Sequence, residues 1–230
     1  MNPTSLEEWY PCILSDVPQP ETIIIPFSHK DCIRLLSPEY WTVGKKIRAI
    51  HQAAVDVGYP CFMRTAYYSA KFDGVCIVRT QDDLFNNLVK LVASSFEEEK
   101  PVEAICIRKF IKSNGTEKLM NGLPVGSERR YFIIEDVIYK GMPYWNNMSV
   151  NDGTYIIPTY YLNAINTITQ EEEDLLNKYT DNVRLCMKLP RLDTVDWSVD
   201  YMKDINGKWW LIDMGEAYKS WMPEPTIERL

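Results

Sequence analysis

The sequence predicts an α+β chain of two lobes built on mostly antiparallel sheets. Three observations predict it. Helix and strand signals run in the order helix, short strand pair, helix, then several strands interrupted by one more helix. That order does not fit the regular alternation of a parallel doubly wound sheet. Near the C-terminus, VDWSVDYMKDINGKWWLIDMGE (195–216) holds two aromatic-rich apolar runs joined around Asn206-Gly207. Asn-Gly between such runs is the strongest short-range hairpin signal. Finally, 230 residues are enough for one large domain or a two-lobed unit with a substantial core.

The elements follow in order. Residues 1–37 contain five prolines and one apolar strand candidate, Thr22 to Phe27. EYWTVGKKIRAIHQAAVDV (39–57) places Ile47, Ile50, Ala54 and Val57 on one helical face; Gly44 weakens its first half and Gly58-Tyr59-Pro60 ends it. Cys61 to Arg64 is a short strand, TAYYSAKFDG a loop, and Val75 to Arg79 a second strand. Thr80-Gln-Asp-Asp83 resembles a capping box and opens a helix to about Ser95. Glu103 to Ile111 is a strand, Asn114-Gly115 a turn, and Glu128 to Val137 another strand; Val137 to Tyr144 leads into a polar loop. Thr169-Gln-Glu-Glu172 is a full capping box opening a helix to about Lys188. The Asn-Gly hairpin and a Pro-containing tail close the chain.

Composition excludes several classes. Hydrophobic residues make up 46% and charged residues 25%, as in an ordinary soluble globular protein. The net charge of −7 argues against broad nucleic-acid binding. The N-terminus lacks the features of a signal peptide, and no apolar run approaches a membrane span. The six cysteines are scattered without a C-x-x-C pair, and Cys61, Cys76 and Cys106 lie in strand-like runs. They read as reduced core residues of a cytoplasmic protein. With only His29 and His51, zinc chemistry and histidine triads are poorly supported.

The hairpin carries the sharpest chemical signal. If Asn206-Gly207 is a type I′ turn, Ile205 faces Lys208, and counting back along both strands sets Asp200 opposite Asp213. Facing carboxylates destabilise a ladder unless a cation sits between them. Mg²⁺ commonly shares one or two carboxylates with substrate phosphates, so the hairpin points to a nucleotide site. On this register Ser198, Asp200 and Met202 share a face with Leu211, Asp213 and Gly215. Trp197, Val199, Tyr201, Trp210, Ile212 and Met214 form the core face, and Glu216 lies opposite Trp197. Asp204, beside the turn, is expected to be solvated. The competing reading is a solvent-exposed face with two aspartates by chance.

Three further segments carry cations. Arg64 ends a strand, and Ser69, Lys71, Asp73 and Gly74 occupy the loop after it, where backbone N–H groups and cations can fold over phosphates. On this segment alone an ordinary hairpin loop is the better reading. ICIRKFI (105–111) sets Arg108 and Lys109 side by side in a strand, so one points to each face; a cation snorkelling at a lobe boundary explains them equally well. SERRYFIIEDV (127–137) does the same with Arg129 and Arg130, and a salt-bridged exposed strand is the even alternative. Together, separated cations and a carboxylate hairpin make a plausible set for Mg²⁺–nucleotide binding between two lobes.

The order of these motifs resembles the ATP-grasp superfamily, in particular the cell division cycle 123 family and the bacterial and phage arginine-two-lysine clade. MRTAYYSAKFDG is similar to a strand ending in a basic residue followed by a Ser-Ala-Pro-Lys-Asp-like loop, with the lysine one position early and the proline absent. Arg108-Lys109-Phe110 is similar to an Arg-Lys-aromatic strand, and Glu128-Arg129-Arg130 to a Glu-aromatic-Arg element with Arg129 in place of the aromatic. Asp200 and Ile212-Asp213-Met214 match the closing motif, but Gly215 stands where the family has Asn. A Gln-Arg pair of the family is not evident in MPYWNNMS. The resemblance runs from about residue 60 to 216.

The resemblance implies a fold, a ligand and roles. Residues 1–59 would form an N-terminal segment with one helix on the core, 60–104 the small ATP-grasp lobe, and 105–230 the large lobe with the metal-binding hairpin. ATP would lie between the lobes, with adenine against the strand around Cys106 to Phe110, which includes Arg108. Arg64 and Lys109 would contact phosphates, with Ser69 and Lys71 helping from the loop. Arg130 would face the γ-phosphate or an acyl phosphate, so Arg130 and Lys71 are the catalytic candidates. Asp200 and Asp213 would hold Mg²⁺, and Gly215 removes one side-chain ligand, leaving one ion or two open. The function implied is an ATP- and Mg²⁺-dependent carboxylate–amine ligase acting through an acyl phosphate. The alternative is a non-catalytic ATP-binding assembly factor for a protein partner. The polar loop from Pro143 to Asn166 is a further candidate for the acceptor site.

Overall fold

A computed structural model describes residues 2–118, 122–145 and 157–221. They form two compact units, Pro20–Ile111 and a larger one from Met1–Gln19 with Lys112–Leu230. The division differs from the expected boundaries after 59 and 104, and the reason is strand pairing. The chain opens with a one-turn helix, α1 (Leu6–Trp9), in the larger unit.

The smaller unit then contains β1 (Thr22–Pro26), α2 (His29–Leu35), α3 (Gly44–Val57), β2 (Cys61–Thr65), β3 (Ile77–Val78), α4 (Gln81–Glu97) and β4 (Ala104–Lys109). Its antiparallel sheet has the order β1-β4-β2-β3. Because β4 pairs with both β1 and β2, the N-terminal segment and residues beyond 104 belong to one sheet. One face of that sheet is core. Ile25, Cys61, Met63, Ile105 and Ile107 pack with Ile50 and Ala54 of α3 and Leu84, Leu88 and Leu91 of α4. Tyr40–Val43 is a 3₁₀ turn running into α3 at Gly44, where the sequence weakened the helix. The Thr80–Asp83 capping box forms as expected and starts α4. Helix α2 was missed: its Ser28–Asp31 capping box is intact, but the helix has only seven residues in a proline-rich stretch. Val75–Arg79 is also shorter than expected, with only Ile77 and Val78 in the ladder.

The larger unit contains a small ribbon, β5 (Glu117–Lys118) with β6 (Pro124–Val125), then β7 (Glu128–Ile134), β8 (Val137–Pro143), α5 (Thr159–Asn166), α6 (Gln170–Cys186), β9 (Trp197–Lys203) and β10 (Trp209–Glu216). Its main sheet is antiparallel with order β10-β9-β7-β8. Helix α6 starts at the predicted Thr169–Glu172 capping box and covers one face. There Thr180 Oγ1 donates to Tyr201 Oη at 3.3 Å, and Trp209 Nε1 donates to Glu172 Oε1 at 3.1 Å. The segment Val137 to Tyr144, expected to lead into a loop, is strand through Pro143. It folds back on β7 through Glu135-Asp136, with φ of +50° and +62°. That is the two-residue geometry expected of a type I′ turn, in a sequence without its usual Asn or Gly. Residues 146–156 of the polar loop proposed as acceptor site lie outside the described residues.

The β9–β10 hairpin corrects one local expectation. Asp204 N–H donates to the Lys208 carbonyl at 2.8 Å and Gly207 N–H to the Asp204 carbonyl at 3.0 Å. Within the loop only Gly207 has positive φ, +84°. The connection is a three-residue loop ending in a left-handed glycine, not a two-residue type I′ turn. Asp204 selects it: the carboxylate accepts from Asn206 N–H (2.8 Å), Lys208 N–H (2.9 Å) and Trp210 Nε1 (2.9 Å). Asp204 is therefore buried and structural, not solvated. Trp210 pairs with Met202 and Leu211 with Tyr201, one residue off the expected register. A bulge at Ile212 then restores it, and Asp213 faces Asp200 as expected. Leu211 and Trp209 consequently lie in the core, and half-buried Trp210 takes the place on the acidic face expected for Leu211.

Burial opposes the charge on Asp204, but the hydrogen bonds from Trp210, Lys208 and Asn206 outweigh it and lower the pKa below the ordinary 3.8. A depressed carboxylate contributes stability above its unfolded pKa and loses it as pH falls through the folded one. Asp204→Asn is expected to cost roughly 1–3 kcal/mol at pH 7. Urea titrations should show the gap between variant and wild type closing on acidification below about pH 4.

Candidate functional site

In the larger unit, β7, β9 and β10 lie side by side, and their register sets Arg130 opposite Asp200 and Asp200 opposite Asp213. Directly opposed residues share a face, so one rung across three strands reads Arg, Asp, Asp. Glu128, Phe132, Ser198 and Met202 lie on the same face. Arg129, expected to point away from Arg130, does so. It is buried on the opposite face, where Nη2 donates to the Gly141 carbonyl at 2.9 Å.

Arg130 holds Asp200 with two parallel bonds, Nε to Oδ1 and Nη2 to Oδ2, both at 2.7 Å. The side chains are only 11% and 10% exposed. Bidentate guanidinium–carboxylate pairing of this kind is among the stronger polar contacts in proteins. The guanidinium also lies 4.7 Å from the centre of the Tyr144 ring, and Nη1 donates to the Trp221 carbonyl at 3.3 Å. Burial works against the Arg130 charge, yet Asp200, aided by Tyr144 and Asp213, raises its pKa above the ordinary guanidinium value. Arg130 is thus a permanent cation. Asp213 Oδ1 accepts from the Met214 N–H at 2.9 Å.

This arrangement changes what the acidic hairpin can hold. Both oxygens of Asp200 already receive hydrogens from Arg130, and Gly215 contributes no side chain. Among the described residues no group of three His, Cys, Asp or Glu side chains could hold a metal ion. A divalent ion takes six or more oxygen ligands. The described residues thus offer no cage of three protein ligands; a Mg²⁺ ion here would meet two facing carboxylates, one of them already bonded to a guanidinium, and would take its other oxygens from water and phosphate. The cation expected between the carboxylates is instead supplied, for Asp200, by a guanidinium. Nothing in the backbone requires glycine at 215: a Cβ there would meet Ser198 Oγ at 3.5 Å and Ser220 Oγ at 3.9 Å, both ordinary contacts.

In the smaller unit, register sorts the remaining candidates. Arg64 faces Cys106 and Arg108 faces Phe62 across adjacent strands, so both arginines lie on the sheet face opposite the helices. Both are buried; Arg64 Nε donates to the Thr65 carbonyl at 3.1 Å, and Arg108 Nε to Thr22 Oγ1 at 3.1 Å. Lys109 pairs with Cys61, on the other face, and is exposed. The structure thus sets Arg108 rather than Lys109 beside Arg64. Phe110 follows the strand and is half-buried. Ser69 and Lys71 sit in the loop after β2. That loop is closed by Tyr68 N–H donating to Thr65 Oγ1 at 2.8 Å, and left-handed Ala70 (φ +45°) and Gly74 (φ +71°) flank a 3₁₀ turn over Lys71–Asp73. Tyr144 is the site residue that sequence reasoning missed. Its only sequence signal is an aromatic at the end of the segment Val137 to Tyr144, expected to lead into a polar loop.

No protein-family model and no curated protein sequence matches the chain. Its fold is similar to that of several solved structures. Cdc123 from Schizosaccharomyces pombe aligns with TM-score 0.57 at 12% identity, over 93% of this chain and 83% of that one. D-alanyl-alanine synthetase A from Vibrio cholerae O1 biovar eltor str. N16961 gives 0.51 at 15% identity, over 91% and 52%. N5-carboxyaminoimidazole ribonucleotide synthetase, solved as its ADP complex, gives 0.53 at 12% identity, over 92% and 44%. The chain spans about half the length of the two synthetases. The fold is ATP-grasp-like, as the order of sequence motifs implied.

Removing one partner of a buried ion pair leaves the other uncompensated and costs roughly 3–5 kcal/mol. Asp200→Asn and Arg130→Met should each destabilise the chain by about that much. The double variant should lose less than the sum of the two, by a coupling energy above about 1.5 kcal/mol in a denaturation cycle. Additive losses would show that the two side chains are not bonded in solution.

Proposed function

We propose that this chain binds ATP and acts on a protein partner without catalysing ligation. The observation that carries the reading is the Arg130–Asp200 pair: the carboxylate expected to hold a catalytic metal is already neutralised, and position 215 offers no side-chain ligand. In carboxylate–amine ligation the charge developing on the transferred phosphoryl group must be neutralised by cations fixed around it. Guanidinium groups bind phosphate oxygens without metal, through planar paired N–H donors. Arg64 and Arg108, with Ser69 and Lys71 from the loop after β2, are the proposed phosphate contacts within the smaller unit; within the larger one Arg130, already paired with Asp200, contributes its charge. The similarity in fold to Cdc123, over 83% of its length, supports the assembly-factor reading of the resemblance.

A second reading, an ATP-dependent carboxylate–amine ligase, is favoured by one observation: Asp200 and Asp213 do face each other in register. On that reading Arg130 would stabilise an acyl phosphate. No nucleophilic side chain would be needed, since positioning and charge neutralisation carry such reactions.

Thermal shift separates these readings. ATP at a hundred times its Kd stabilises a folded chain by about 2.7 kcal/mol, which for a chain of this size is roughly 5–10 °C. The same shift is expected in EDTA, because binding is proposed not to depend on a divalent ion. Arg108→Lys should weaken binding about tenfold, since it keeps the charge and loses the planar set of donors. Gly215→Asn should make the shift respond to Mg²⁺ by supplying the missing ligand. With ATP, Mg²⁺ and pooled amino acids or peptides, no ADP release is expected. Stoichiometric ADP with a mass-shifted product would instead establish the ligase, and no shift with any nucleoside triphosphate would sink both readings.

A further inference from the structure

The smaller unit exposes an aromatic surface that the nucleotide reading does not use. Trp41 is 65% exposed and Tyr40, on the same 3₁₀ turn, 50%. The Tyr40 ring lies 6.2 Å from that of Trp41 and 5.9 Å from that of exposed Phe85 on α4. Ile33 and Leu36, at the end of α2 that leads into the turn, are exposed as well. The ring contacts join two of the three elements, and α2 packs against the turn. The three rings therefore form one cluster, and Ile33 and Leu36 are exposed on the helix end that packs against its turn. Single exposed apolar residues need no explanation, whereas a contiguous patch with Trp and Tyr at its centre has the composition of an interaction hot spot.

Charge identifies the occupant. Lys30 and Arg34 lie on α2 beside Ile33. Lys45 and Arg48 lie on α3, four and seven residues beyond Trp41, where the turn and helix run continuously. Among the described residues none of these four forms an ion pair, whereas neighbouring Lys46 is held by Asp31 at 2.7 Å. Glu39, next to the turn, and Asp82, three residues before Phe85, are the exposed acidic side chains adjoining the patch in sequence; exposed Asp56 and Glu97 lie at the far ends of α3 and α4. Cations thus outnumber acids around this patch, on a chain whose net charge is −7. An anionic partner would find complementary charge here and repulsion over the chain as a whole, which orients its approach. Ile33 and Leu36 have no use against a phosphate backbone but fit apolar side chains.

We propose that Ile33, Leu36, Tyr40, Trp41 and Phe85, framed by Lys30, Arg34, Lys45 and Arg48, dock an acidic segment of a partner protein carrying an aromatic or aliphatic anchor. The anchor packs on the Tyr40–Trp41–Phe85 rings, and its flanking carboxylates meet the cations. This surface lies wholly within the smaller unit and is independent of the nucleotide reading.

The test pans a displayed library of random dodecapeptides against the full chain without nucleotide, with subtraction on Tyr40→Ala/Trp41→Ala. All substituted side chains are exposed, so folding is expected to be retained, as circular dichroism and the melting temperature would verify. Enriched peptides should carry Asp or Glu together with Trp, Phe or Leu. Their affinity should fall at least about tenfold on Trp41→Ala, fall again on Lys45→Glu/Arg48→Glu, and weaken with added salt. The proposal is overturned if no peptide is enriched over the subtracted variant, or if the enriched peptides are neutral or basic. It is equally overturned if single-stranded oligodeoxythymidine displaces the peptides and binds the patch more tightly, which would make the surface a stacking platform for nucleic acid.

Discussion

The bidentate bond between Arg130 and Asp200 is the constraint around which the larger unit's polar face is arranged. A nearly buried carboxylate and a nearly buried guanidinium are each costly alone and tolerable only together. They come from strands separated by about seventy residues of sequence, so the pairing of β7 with β9 must be in register to within one residue. A slip by one would turn Asp200 toward Tyr131, Val199 and the other side chains under α6, and Arg130 away from any carboxylate. The charged pair therefore specifies register in a sheet whose core face is dominated by interchangeable aromatics.

That requirement explains two irregularities in the hairpin. Asp204 imposes a three-residue loop by accepting from three N–H groups at once, and the loop alone would offset β10 by one residue. The bulge at Ile212 takes up the offset, so Leu211 and Met214 both reach the core and Asp213 still meets Asp200. Asp213 meets Asp200 just as a type I′ turn would have placed it, although the turn is of another kind, because two one-residue departures cancel. Asn-Gly was a true hairpin signal, but the aspartate two residues before it decided the type. At Glu135-Asp136 the opposite happened: left-handed backbone formed with no local signal, since the pairing of β7 and β8 on either side demands it.

Legibility followed the range of the interaction. Capping boxes at Thr80 and Thr169, the amphipathic helices and the acidic hairpin are local patterns, and each could be read directly. Which of two adjacent cations faces which side is not local. The choice between Arg108 and Lys109 depends on which face of the sheet α3 and α4 cover, and the sequence of β4 is apolar on both faces. Arg130 and Asp200 each stand out in the sequence as chemical candidates, and the structure joins them. Their bond was invisible because strand order in an antiparallel sheet is not written in either strand.

That bond also bears on what the fold is used for. A rung holding two carboxylates and one fixed guanidinium carries one net negative charge, and the positive charge is positioned before any ligand arrives. A guanidinium fixed in this way orders the polar face in advance. ATP bound in such a setting contributes its binding free energy to the conformation that holds it, with a weight set by concentration over Kd. A chain that uses nucleotide in this way needs a separate surface through which that conformation is read. The exposed Tyr40–Trp41–Phe85 cluster, built on helices rather than on the polar sheet face, shares no residue with the candidate nucleotide contacts, so the docking proposal stands or falls apart from the nucleotide one.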